Sequence, residues 1–196
     1  MKRYAAPPEE WDCGILLSNI RKNGEPHGEV LELPIHGSVE YWGQSYAAKG
    51  PLSVRLTANY AGENIVVLVE IKGKFSLPCS RCLKETILAI DGNMRYLFTL
   101  RHPVDGGKRR GRQDDGTEAD EPDGDVDVIY LDGYQAELDL SHNVWETLIL
   151  NLPERALCME DCLGLCPVCG CDRNAFECGC SAEEGDPRFG VLRGFE

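Results

Sequence analysis

The chain has no stretch approaching about 18 uninterrupted apolar residues, the length that a membrane-spanning helix needs. Its opening residues, Met1 to Glu10, include no apolar run fit to be the core of a signal peptide. A cytoplasmic protein is therefore expected, with thiols that stay reduced and favour metal over disulfides. Positive charge is also short: 20 Lys and Arg stand against 33 Asp and Glu, a formal net charge of −13. That balance argues against a broad basic face for nucleic acid, and leaves open a local basic patch or a basic protein partner. The four histidines, His27, His36, His102 and His142, are scattered and read as surface or satisfied side chains. There is no phosphate loop, no dinucleotide-binding glycine pattern and no paired-carboxylate motif that marks a catalytic acid and base. No enzyme is expected and no catalytic residue is assigned.

Cysteine is what the chain has in excess. Seven of the ten lie between Leu157 and Cys180, at 158, 162, 166, 169, 171, 178 and 180. Cys166-Pro167-Val168-Cys169-Gly170 is a Cys-x-x-Cys turn with glycine just after it, which points backbone amides at two sulfurs. Cys178 and Cys180 complete a set of four at C-x2-C-x8-C-x-C, which matches the soft, tetrahedral preference of Zn2+. Cys158 and Cys162 are four apart, so a helix would place both on one face. They either share Cys166 and Cys169 or recruit the upstream pair Cys79-Ser80-Arg81-Cys82, giving a second candidate site of Cys79, Cys82, Cys158 and Cys162. Cys171 is surplus to a four-coordinate ion unless it replaces a partner. Cys13, alone in its region, reads as a buried or idle thiol. A redox Cys-x-x-Cys would open a helix in a βαβ pattern, whereas Cys79 follows an antiparallel β pattern.

Residues 1–27 read as an N-terminal arm with Trp11 as its anchor, and Gly14 to Asn23 as a short helix within it. Gly28 to Ile35 and Gly37 to Tyr46 offer two strands. Leu52, Val54, Leu56 and Ala58 alternate with polar residues, and Ile65 to Ile71 is almost wholly apolar, so the two pair as a hairpin about Ala61-Gly62-Glu63-Asn64. Thr86 to Ile90 and Met94 to Leu100 suggest another hairpin around Asp91-Gly92-Asn93. Residues 102–125 carry Lys108, Arg109, Arg110 and Arg112 and then a run of carboxylates, a composition expected of a flexible, solvated loop. Its basic run is the candidate RNA contact. Val126 to Leu131 and Tyr134 to Leu138 read as strands. Ser141 is the expected N-cap of the principal helix, about Asn143 to Leu150, which buries Val144, Trp145, Leu148 and Ile149. The fold class is α+β, mainly antiparallel: a barrel-like or bent sheet over 28–153, one principal helix, and a zinc-stapled segment over 154–196.

Several of these motifs together resemble one family. Cys79-Ser80-Arg81-Cys82-Leu83, Glu137-Leu138-Asp139-Leu140 before a helix with Trp145-Glu146, and Asn151-Leu152-Pro153 are similar to the core of the YceD family. Leu157-Cys158 through Cys162, Gly164-Leu165-Cys166-Pro167, Cys169-Gly170, Asn174, Cys178 and Cys180, with Asp186-Pro187-Arg188-Phe189, resemble its cysteine-rich C-terminal variant. The resemblance runs from about Leu52 to Leu192, and the loop at 102–125 and Cys171 depart from it. It implies a role in 23S ribosomal RNA accumulation or processing and in large-subunit assembly. The leading expectation is a non-enzymatic factor whose partner is ribosomal RNA, a basic ribosomal protein of the large subunit, or both. A zinc-ribbon adaptor outside ribosome assembly and a thiol redox protein are the competing readings.

Overall fold

The computed structural model describes residues 2–21, 25–100, 126–131 and 136–180. The loop expected at 102–125, with Lys108, Arg109, Arg110 and Arg112, and the tail motif at 186–189 lie outside them. Contacts divide the chain into two compact units: Met1–Phe75 with Leu88–Leu152, and Ser76–Ile87 with Pro153–Glu196.

The first unit is built on β3 (His27–Leu33), β4 (Gly37–Tyr41), β5 (Gln44–Ala48), β6 (Leu52–Ala61), β7 (Asn64–Pro78), β8 (Glu85–Leu100) and β9 (Val126–Leu131). A short β1 (Lys2–Tyr4) joins β4 in parallel. The order is β1-β4-β5-β7-β6-β3, with β8 branching from β7 and carrying β9 in parallel. The β6–β7 hairpin has the expected alternation: Leu52, Val54, Leu56 and Ala58 are fully buried, and Val54, Leu56 and Ala58 stand opposite the buried Ile71, Val69 and Val67. β7 and β8 run on past this unit, to Pro78 and back from Glu85.

The sheet does not close into a barrel, since β1 and β3 stand at opposite ends of the path. Asp91-Gly92-Asn93 does not turn: β8 is a single strand of 16 residues. Gly92 serves a close approach instead, because a Cβ there would strike the Asn151 side chain. Residues 37–46 form two strands joined at Trp42 and Gly43, both at positive φ. Gly14 to Arg21, the described part of the expected helix, holds no α-helix. Gly14–Leu16 is a strand, β2, paired antiparallel with β10 (Glu137–Asp139), and Leu17–Asn19 is one 3-10 turn. Burying Ile15 opposite Leu138 outweighs the weak local helix preference.

The helix α1 spans Ser141–Leu150 and buries Asn143, Val144, Trp145, Thr147 and Leu148. Ser141 is inside it rather than capping it, and its N–H donates to the Asp139 carboxylate at 2.9 Å. Tyr96 of β8 donates its hydroxyl to the Asn143 carbonyl at 2.9 Å, which ties helix to sheet. Trp11 docks edge-on to Trp145 with ring centroids 6.0 Å apart, and its indole N–H bonds the Pro34 carbonyl at 3.0 Å. Cys13 is buried in this unit, and burial pushes its thiol up to about 11. Among the described residues, no helix is long and apolar enough to cross a membrane.

Candidate metal centres

Pro78 ends β7, because it has no N–H to continue the ladder. The chain then folds tightly: Leu83 N–H donates to Cys79 O at 2.9 Å and Cys79 N–H to Lys84 O at 2.8 Å. This turn holds Cys79 and Cys82 side by side. The segment after Pro153 is laid against it by backbone bonds, from Ser80 N–H to Ala156 O at 2.8 Å and from Leu165 N–H to Arg81 O at 3.1 Å. The Arg81 guanidinium adds a bond to Cys162 O at 2.8 Å. Residues 158–162 form turns rather than a helix, and these bonds, not helical spacing, bring their cysteines together. The sulfurs of Cys79, Cys82, Cys158 and Cys162 all lie within 4.8 Å of one another. Cys79 Sγ is 3.9 Å from Cys162 Sγ, and Cys82 Sγ is 3.5 Å from Cys158 Sγ. Four sulfurs about 2.3 Å from a central zinc would be about 3.8 Å apart, so this set needs little adjustment to hold such an ion.

The second set repeats the turn. Gly170 N–H donates to Cys166 O at 2.9 Å, the same bond that Leu83 makes in the first. Both residues are left-handed, Gly170 at φ 71 and Leu83 at φ 63. A bridge between Leu165 and Asp172 closes a small hairpin around the turn, with Cys166 N–H on Cys171 O at 2.8 Å. Cys178 and Cys180 return to it, and the sulfurs of Cys166, Cys169, Cys178 and Cys180 lie within 4.8 Å of one another. Cys171 stands outside this four, and the neighbouring Cys169 and Cys178 push its thiol up to about 12.

The electrostatics of both sets favour a cation. In the first, the N–H groups of Cys82 and Arg81 hold the Cys79 thiol down at about 6, while its bond to Cys82 and burial push Cys158 up to about 12. In the second, the N–H groups of Cys169 and Val168 hold Cys166 down at about 6, while Cys169 pushes Cys180 up to about 12. Each set thus has a thiol held low beside one pushed up by a neighbouring cysteine. A bound divalent ion counters that push and lets all four ionise.

Two residues that spacing rules do not single out brace the pair of sets. Asn174 stands in the sequence motif, yet its role shows only in the structure. It donates Nδ2 to Cys162 Sγ at 3.4 Å and accepts the Leu163 N–H at 2.8 Å. Asp172 accepts from Lys84 at 2.6 Å and from Asn174 N–H at 3.0 Å. The Lys84 ammonium holds its carboxyl down at about 2.

A model of the family "Large ribosomal RNA subunit accumulation protein YceD" matches residues 67–196. A curated relative, "Large ribosomal RNA subunit accumulation protein YCED homolog 1, chloroplastic" of Arabidopsis thaliana, is 27% identical over 133 residues. That alignment covers 62% of this chain and 41% of the relative, so the chain spans well under half of that protein's length. No solved structure matches.

Proposed function

The chain belongs to the YceD family of large ribosomal RNA subunit accumulation proteins, and from that premise we propose that it is a non-enzymatic factor for 23S rRNA accumulation and large-subunit assembly. The observation that supports this most is one of position: all eight cysteines of the two sets fall inside the matched segment, 67–196. We read both sets as structural Zn2+ sites. Cys79, Cys82, Cys158 and Cys162 would hold one ion, and Cys166, Cys169, Cys178 and Cys180 the other. Four thiolates complete a tetrahedral shell, so neither ion keeps a position for substrate, and its contribution is to folding rather than to chemistry. Residues 154–196 with the turn at 79–84 then act as a stapled module. The partner is ribosomal RNA, a basic protein of the large subunit, or both, in the compartment that holds those ribosomes. The basic run Lys108, Arg109, Arg110 and Arg112 remains the candidate RNA contact.

The test is depletion of the protein in its native cells, followed by quantification of 23S against 16S rRNA. A selective fall in 23S, restored by the parent chain but not by Cys82→Ser or Cys169→Ser, is the expected result. An unchanged ratio of 23S to 16S would overturn the reading.

A further inference from the structure

Building on the zinc reading above, we propose that the hollow beside the second cysteine set docks a basic peptide segment that inserts one apolar side chain. The hollow has a volume of about 400 Å³. Leu163, Pro167, Val168 and Phe176 line it, together with Arg173, Glu177 and three of the four cysteines of that set. It lies wholly within one compact unit.

Its apolar side chains are turned outward: Leu163 is 57% exposed, Val168 58% and Phe176 71%. A segment held by eight thiolates and a backbone hairpin gains no folding energy from an exposed phenyl ring. Large apolar residues gathered around one concavity fit an anchor socket, since aromatic and aliphatic anchors in pockets dominate binding at protein interfaces.

Charge decides which class of partner fits. Among the described residues of this unit, six carboxylates face four basic groups, a balance of −2. One of the four, Lys84, is already paired with Asp172. Two divalent ions, each held by four thiolates, add a formal −4 and bring the unit to −6. The whole chain carries −13. Phe176 and Arg173 could stack on a base, but the phosphates on either side would enter a negative field, and phosphate contacts supply most nucleic-acid affinity. A Lys- or Arg-rich segment meets the same field favourably and is steered by it.

The test uses the zinc-loaded full chain and a fluorescein-labelled peptide of lysines with one central leucine. Binding is read by anisotropy at about 0.1 M salt, where the screening length is about 10 Å. Phe176→Ala and Val168→Ala are both surface changes, and zinc content and Tm are read on the same samples. The expected result is binding that Phe176→Ala weakens about tenfold, that Val168→Ala weakens less, and that replacing the peptide's leucine by serine weakens as much as Phe176→Ala, with zinc content unchanged. Binding that neither variant nor the leucine affects would overturn the proposal. So would an oligouridine that binds more tightly than the peptide and is lost with Phe176→Ala. A dimer that Phe176→Ala dissociates would overturn it as well, by assigning the hollow to a second copy. Because zinc is measured separately, its absence counts against the metal centres, and unchanged peptide binding counts against the docking site.

Discussion

Leu83 and Gly170 hold the same place in two matching turns, each in the left-handed region and each bonded to the carbonyl of the first cysteine. Glycine adopts that conformation freely, whereas a residue with a Cβ is disfavoured there by about 1–2 kcal/mol. Leucine gains little in return, because its side chain is 65% exposed. Leu83→Gly is therefore expected to leave stability unchanged or raise it by up to about 1 kcal/mol, read as Tm at fixed zinc. A fall of 2 kcal/mol or more would show that the leucine packs in a way its exposure conceals. Asp139 offers a test against pH. The Ser141 N–H at the helix start holds its carboxyl below the ordinary carboxylate value. A depressed carboxyl stabilises the fold above its unfolded value, near 3.9, and the benefit fades as pH falls through the folded value. Asp139→Ala should cost about 0.5–1 kcal/mol at pH 7, and the gap from the parent should close in acid.

At the scale of elements, β8 is the instructive case. Its Gly92 reads as a hairpin turn in sequence, but in the fold it makes room for Asn151 just after α1. Gly92→Ala should therefore destabilise by about 1–3 kcal/mol, and adding Asn151→Ala should recover part of that loss; denaturant unfolding of the three variants decides. The β6–β7 hairpin was legible because one half-buried face imposes a period of two on ten residues. β8 and β2 were not, because a turn signal and a helix preference were each overruled by partners distant in the chain. The same division holds at the site. Cys166 and Cys169 announce themselves by local spacing, as do Cys178 and Cys180. Which partners Cys158 and Cys162 take depends on the backbone bonds from Ser80 and Arg81, which leave no periodic trace. Cys169→Ser tests the second set: one of two ions should be lost and 157–180 become sensitive to protease, while the sheet and α1 persist. Structural zinc supplies on the order of 10 kcal/mol to such segments, whose few large apolar residues are mainly exposed. Cys171→Ser should retain both ions. The reverse outcome, with metal lost on Cys171→Ser and kept on Cys169→Ser, would reassign the ligands.

For the molecule as a whole, metal analysis of protein purified in reducing buffer should find two zinc ions per chain. The two sets differ, however, in how much chain they enclose. The second gathers its cysteines within 166–180, whereas the first joins Cys82 to Cys158 across 76 positions, with all of β8, β9, β10 and α1 between them. During synthesis from the N-terminus, the turn at 79–84 emerges early and waits, half-complete, until the other two cysteines of its set leave the ribosome. An ion taken up there before residue 162 arrives would have only two protein thiolates and would be easily lost. An ion held by the first set would thus be a record of completion. The set can be sealed only when the intervening chain has brought its ends together, a closure whose entropy in an open chain of that length is about 4.5 kcal/mol by analogy with a disulfide loop.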